Sequence, residues 1–171
     1  AAKHSMSTDR ENTIREWLTA TLGGSDYQLE RASDDASFRR YLRLHVAGAP
    51  TRIVMDAPPA TEKRNTPMWL EVAARLRDAG LNTPEVFAQD LEQGFLLIGD
   101  LGTRPYLDEL DEKTVDSLYA DALDALLSMQ TKVSSEQLPV LDEAWLTMEL
   151  ELMPEWFLQR HLGHALRCDE W

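Results

Sequence analysis

The sequence predicts an α+β fold in two lobes: a five-stranded antiparallel sheet with a helix on one face, then a helical second layer. Three observations carry this. Short segments of strand character, set apart by Gly, Pro and Asp turns, fill the first hundred residues. One amphipathic helical segment interrupts them after the third strand. From residue 111 onward only the helical period remains.

Residues 8–22 form the first helical segment, with Ile14, Trp17, Leu18 and Leu22 on one face and Gly23-Gly24 ending it. Residues 1–5, ahead of Met6, read as a tag remnant. A short extended stretch, 27–31, leads into the small polar turn 32–37. Residues 38–46 alternate: Phe38, Leu42, Leu44 and Val46 share one face with Arg40, while Arg39, Tyr41, Arg43 and His45 take the other. Residues 52–56 are a third strand that Pro58-Pro59 stops. A helix is expected over 66–79, with Trp69, Val72, Ala73 and Leu76 as its stripe and Gly80 as its cap. Strands over 85–89 and 94–99 follow. The second is almost wholly apolar and reads as a central strand buried on both sides. Beyond them, Val115, Leu118, Tyr119, Ala122, Leu123, Leu126 and Leu127 keep a helical pattern. A further helix starts near residue 142 and meets Pro154, which should kink it or open a new helix over 155–162. The lobes divide near residues 99–102, giving a first lobe over 6–101 and a second over 102–171.

Composition narrows the function. In 171 residues, 43% are hydrophobic and 27% charged, the balance of a soluble globular chain. Thirty acidic against seventeen basic side chains leave a net charge of −13, which repels nucleic acid and anionic membranes. No run approaches the ~20 apolar residues that span a bilayer. The single cysteine, Cys168, forms no internal disulfide, and a reducing, cytoplasmic setting is expected. His161 and His164 lack a third ligand nearby, so no metal ligand is assigned.

Three places carry candidate chemistry. The turn Ala32-Ser33-Asp34-Asp35-Ala36-Ser37 lets backbone N–H groups approach a phosphate, with arginines following it. The same residues also suit an ordinary hairpin loop whose side chains cap their own backbone. Leu96-Leu97-Ile98-Gly99-Asp100-Leu101-Gly102 ends a buried strand at a lobe junction, where pockets concentrate. Glu149 falls inside the apolar stripe formed by Trp145, Leu146, Met148, Leu150, Leu152 and Met153. A carboxylate there needs a partner, either a ligand group or a salt bridge such as Arg160.

These pieces stand in a recognisable order. The turn Ser33-Asp34-Asp35-Ala36-Ser37-Phe38-Arg39-Arg40-Tyr41 precedes the strand Ile53-Val54-Met55-Asp56-Ala57-Pro58-Pro59. The link Leu81-Asn82-Thr83-Pro84 precedes the segment ending at Gly102. The chain resembles the N-terminal lobe of the aminoglycoside phosphotransferase and choline kinase-like family, a branch of the protein-kinase-like fold. Within it, the chain is most similar to bacterial cell-wall sugar kinases acting on the anomeric hydroxyl of N-acetylmuramate and N-acetylglucosamine. The run Glu149 to Phe157 adds to that similarity.

The resemblance implies ATP-dependent transfer to a sugar hydroxyl in cell-wall recycling, with ATP and Mg2+ as cofactors. Adenine would meet the backbone at Gly99, Asp100 and Leu101. The turn with Ser33, Asp35 and Ser37 would cover the phosphates, with Arg40 or Arg52 nearby. Glu149 would line the sugar side. The implied partners are a nucleotide and a sugar, with no nucleic acid and no membrane. Two departures stand out. Met55 or Asp56 occupies the place of the strand lysine, and Glu71 is the helix carboxylate nearest to its usual partner's role. No His-x-Asp-x-x-x-x-Asn motif occurs anywhere. The chain therefore reads as a truncated N-terminal portion, inactive alone, with its metal ligands elsewhere and its helices prone to self-association. Other acceptors (choline, homoserine, an aminoglycoside) and a non-catalytic nucleotide-binding or assembly module remain open alternatives.

Overall fold

A computed structural model describes residues 2–33 and 38–164, with side chains from residue 9 onward except that of Ser33. The elements are α1 (Ala2–Leu22), β1 (Gln28–Ser33), β2 (Arg40–His45), β3 (Arg52–Asp56), α2 (Pro59–Glu62), α3 (Asn65–Asp78), β4 (Val86–Asp90) and β5 (Phe95–Gly99). They are followed by α4 (Tyr106–Glu109), α5 (Val115–Lys132), α6 (Glu143–Leu152) and a π-helical segment, Met153–His161. The chain groups into two compact units, 1–133 and 134–171.

The five strands form an antiparallel sheet in the order β1-β2-β3-β5-β4. The expected apolar strand, β5, is an interior strand between β3 and β4, with Phe95, Leu96 and Leu97 at most 1% exposed. Alternation along the strands divides the core into two clusters, one on each face. On the first face Leu44, Val54, Phe95 and Leu97 pack against Ile14 and Leu18 of α1. On the second, Met55, Ala57, Leu96 and Ile98 pack with Trp69 and Leu70 of α3. The expectation of a helix on one face is thus extended: α1 covers the other. It begins at Ala2 rather than residue 8, taking in positions read as a tag remnant.

Two glycines fix the paths of the chain. Gly94 sits at φ +74°, and a Cβ there would stand 2.0 Å from the carbonyl oxygen of Ala57. Its own carbonyl accepts from the Ala57 N–H at 2.8 Å, locking the start of β5 to the end of β3. A Cβ on Gly99 would stand 3.3 Å from the Glu85 nitrogen, so glycine allows the close approach of the β4 entry.

In the second unit Asp142 caps α6 by accepting from the Trp145 N–H. Pro154 stands in the first turn of a new helical segment, Met153–His161, close to the expected 155–162. Lacking an N–H, it removes one α-type donor, and the chain runs on as a π-helix. Among the described residues no helix is long and apolar enough to cross a membrane.

Candidate functional site

The site grows from the second face of the sheet, where β2, β3 and β5 present Tyr41, Ile53 and Ile98 side by side. They form the floor of a cavity of about 230 Å³ whose mouth is the chain leaving β5: Gly99, Asp100, Leu101 and Gly102. Pro84 closes one side. Ala32 closes another, placed there by a bulge in β1 between Arg31 and Ser33. A flat, apolar slot beside an exposed loop backbone suits a heterocycle, with main-chain groups available to its edge.

One wall of the slot is charged. Arg43 reaches from β2 to Asp100 in two-pronged fashion, Nε to Oδ2 at 2.6 Å and Nη2 to Oδ1 at 3.3 Å. The Asp100 side chain is only 5% exposed. The hydrogen bond from Arg43 lowers its pKa from 3.8 to about 2, against the opposing effect of burial. The Gly102 N–H and the Thr51 side chain add to the lowering. This pair pins the loop mouth to β2. The expected lobe-junction residues Gly99, Asp100 and Leu101 are thereby gathered at one cavity.

Farther along the same face lies a second ion pair that sequence reasoning missed. Arg39, just before β2, donates through Nε to Glu62 of α2 at 2.9 Å, and the Glu62 side chain is 6% exposed. Glu71 faces solvent and pairs with Arg75 one helical turn away. The buried helix carboxylate is Glu62, not Glu71. Met55, at the strand-lysine position, is buried in the apolar cluster.

Arg40 turns to the opposite face. There its Nε and Nη2 donate to Asp56 Oδ2 at 2.8 and 2.5 Å, while Arg10 of α1 donates to Oδ1 at 3.0 and 2.7 Å. Arg10 also donates to the Gln93 carbonyl and stacks 4.2 Å over the Phe95 ring. Arg52 lies 4.0 Å over the Phe87 ring.

The fold matches what a wider comparison finds. A family model described as the phosphotransferase enzyme family matches residues 28–169. The chain belongs to this family. Relatives named N-acetylmuramate/N-acetylglucosamine kinase occur in Pseudomonas aeruginosa, 48% identical over 139 residues, and in Pseudomonas putida, 47% identical over 135 residues. These matches cover 81% and 79% of this chain but 40% and 39% of the relatives. A kinase of the same name from Neisseria meningitidis serogroup B is 32% identical over 161 residues, 92% of this chain and 47% of the relative. The chain thus spans less than half the length of the curated relatives it matches.

The five-stranded sheet with its helices is the N-terminal lobe of this phosphotransferase fold. Of the remaining sequence-derived site residues, Ser33 ends β1 beside the bulge. Asp35 and Ser37 lie outside the described residues, as does Cys168. Glu149 sits exposed on α6, within the second unit. Arg160, its suggested partner, pairs instead with Glu155 at 2.6 Å. The slot has an apolar floor, a charged wall and a mouth edged by main chain. Among the described residues no group of three His, Cys, Asp or Glu is placed to hold a metal ion, so no magnesium ligand is assigned.

Proposed function

We propose that this chain is the nucleotide-binding lobe of an ATP-dependent sugar kinase that phosphorylates the anomeric hydroxyl of N-acetylmuramate or N-acetylglucosamine. The observation that carries the reading is the slot over Tyr41, Ile53 and Ile98 opening at the end of β5. The names of the relatives support the acceptor. A cytoplasmic role in cell-wall recycling belongs to the same proposal.

Adenine lies in the slot with its faces against Ile53 and Ile98. The Gly99 N–H already donates to the Glu85 carbonyl at 2.8 Å, so the base edge is read by the Gly99 carbonyl and the Leu101 backbone. Asp100 does not contact the base; with its negative charge held by Arg43, it keeps the loop in place. Ser33, Asp35 and Ser37, in the sequence joining β1 to β2, would meet the phosphates, and Glu149 would serve the sugar. ATP, when bound, supplies the γ-phosphoryl group: the sugar oxygen bonds to phosphorus, the bridge to ADP breaks and the hydroxyl proton departs.

No His-x-Asp-x-x-x-x-Asn motif is present to orient that hydroxyl. These 171 residues alone are therefore expected to bind nucleotide without transferring phosphate. Phosphorus NMR of the chain with Mg-ATP and N-acetylmuramate checks this, alongside the same assay on a full-length protein that contains the chain. The expected outcome is sugar 1-phosphate from the full-length protein and none from the chain. Absence of product with either amino sugar in the full-length protein would remove the acceptor assignment.

A further inference from the structure

We propose that Arg39, held in place by Glu62, is the cation that binds the nucleotide phosphates, in place of the lysine that kinase-like sheets carry on the third strand. This rests on the nucleotide reading above and deepens it.

The strand position that usually supplies the charge is filled by Met55, which is buried among Ala57, Leu96 and Ile98. Of the two arginines suggested by sequence, Arg40 is turned to the α1 face and bound to Asp56, and Arg52 is stacked on Phe87. Arg39 is on the right face. Alternation along β2 puts Arg43, Tyr41 and Arg39 on one side, and Tyr41 and Arg43 line the slot. Tyr41 is paired across the sheet with Met55, so Arg39 stands one same-face step along from the missing lysine.

Spacing agrees. From Arg43 at the slot mouth to Arg39 is four residues of extended chain, about 13 Å. That is the run of an extended nucleoside polyphosphate from base to terminal phosphate. Arg39 also lies at the end of β2 that meets the turn after β1, where the phosphates of a nucleotide seated in the slot would emerge.

Glu62 is a positioning residue. Its carboxylate is almost fully buried and accepts from Arg39 at 2.9 Å, fixing the side chain. Burial disfavours the Arg39 charge, and hydrogen bonds and electrostatic attraction from Glu62 and, after it, Tyr41 more than offset this, keeping the guanidinium protonated. A guanidinium carries five donors in a rigid fork, so one side chain can bind a phosphate while keeping a carboxylate partner. The arrangement reproduces a strand cation tethered by a helix carboxylate, with the cation moved from β3 to the start of β2 and the carboxylate moved to α2.

Calorimetric titration of the chain with adenosine and with ADP separates the base from the phosphates. The unaltered chain is expected to bind ADP at least about tenfold more tightly than adenosine. Arg39→Gln should remove that advantage while leaving adenosine affinity within about twofold, and Arg39→Lys should restore most of it. Glu62→Gln should lose part of the ADP advantage without touching adenosine. The double variant Arg39→Gln/Glu62→Gln leaves no unpaired buried carboxylate, and with its folding confirmed by thermal melting it should behave as Arg39→Gln does. If ADP keeps its advantage in both Arg39→Gln backgrounds, the assignment of Arg39 is overturned while the nucleotide site stands. Equal affinity of the unaltered chain for ADP and adenosine overturns it too. If neither binds, the site itself is wrong and the inference falls with it.

Discussion

Both faces of the sheet bury arginine–carboxylate clusters, yet their surroundings differ. On the α1 face Asp56 is 0% exposed and accepts from Arg10 and Arg40 on both oxygens, sealed beside Ile14 and Leu18. On the α3 face the Arg43–Asp100 pair rims an open slot, and Arg39–Glu62 lies farther along. The same chemistry therefore serves two ends. A carboxylate whose oxygens are taken and whose face is closed holds the fold together. Pairs beside an opening leave charge and backbone where a ligand can reach them. Position relative to covering helices, not residue type, separates sealed from reachable charges here.

The sharpest break in that comparison is Asp56→Ala. It leaves two arginines facing each other over an apolar cluster, and removing one partner of a buried pair costs several kcal/mol. Because Arg10 and Arg40 are 24% and 36% exposed, we expect about 3 kcal/mol, read as a fall in melting temperature of about 6–12 °C. Adenosine affinity of the folded protein should stay within about threefold. A loss of binding as large as the loss of stability would erase the distinction between the faces.

A smaller effect tests the slot rim. The folded Asp100 pKa lies below its ordinary value, so the unfolded chain takes up protons first as pH falls. The stability this group provides is present above about pH 4 and is lost as pH drops from 4 towards 2. Asp90 and Asp111 are also lowered, so the unaltered chain alone cannot isolate it. Urea unfolding between pH 5 and pH 2.5 should show a shallower acid slope for Asp100→Asn than for the unaltered chain. Identical slopes would mean that Arg43 does not hold the loop mouth.

Much of this was legible in the sequence. The strand 52–56 has the expected limits, and the apolar run of β5 lies inside the sheet, between β3 and β4, because only a strand buried on both sides is apolar at every position. The phase of Arg40 with Leu42 and Leu44 was visible too. It implied a partner on that face, and Asp56 is it. What escaped was long-range. Nothing local in the first helix says that it closes the face opposite α3. Glu62 sits among Thr61, Lys63 and Arg64 and reads as surface; its burial follows from the four-residue helix that Pro59 starts. The available signal was the phase of Arg39 with Tyr41 and Arg43, on the face where Met55 stands in place of a lysine. The apolar stripe expected around Glu149 falls on α6. Trp145, Met148 and Leu150 are nonetheless exposed, at 51%, 49% and 73%.

Amide chemical-shift mapping with adenosine addresses the central claim most directly. Shifts should gather at Ala32, Tyr41, Arg43, Ile53 and residues 99–102, with Ile14, Leu18 and Val54 unmoved. Shifts gathered on the α1 face, or none at millimolar adenosine, would contradict a purine site at the end of β5.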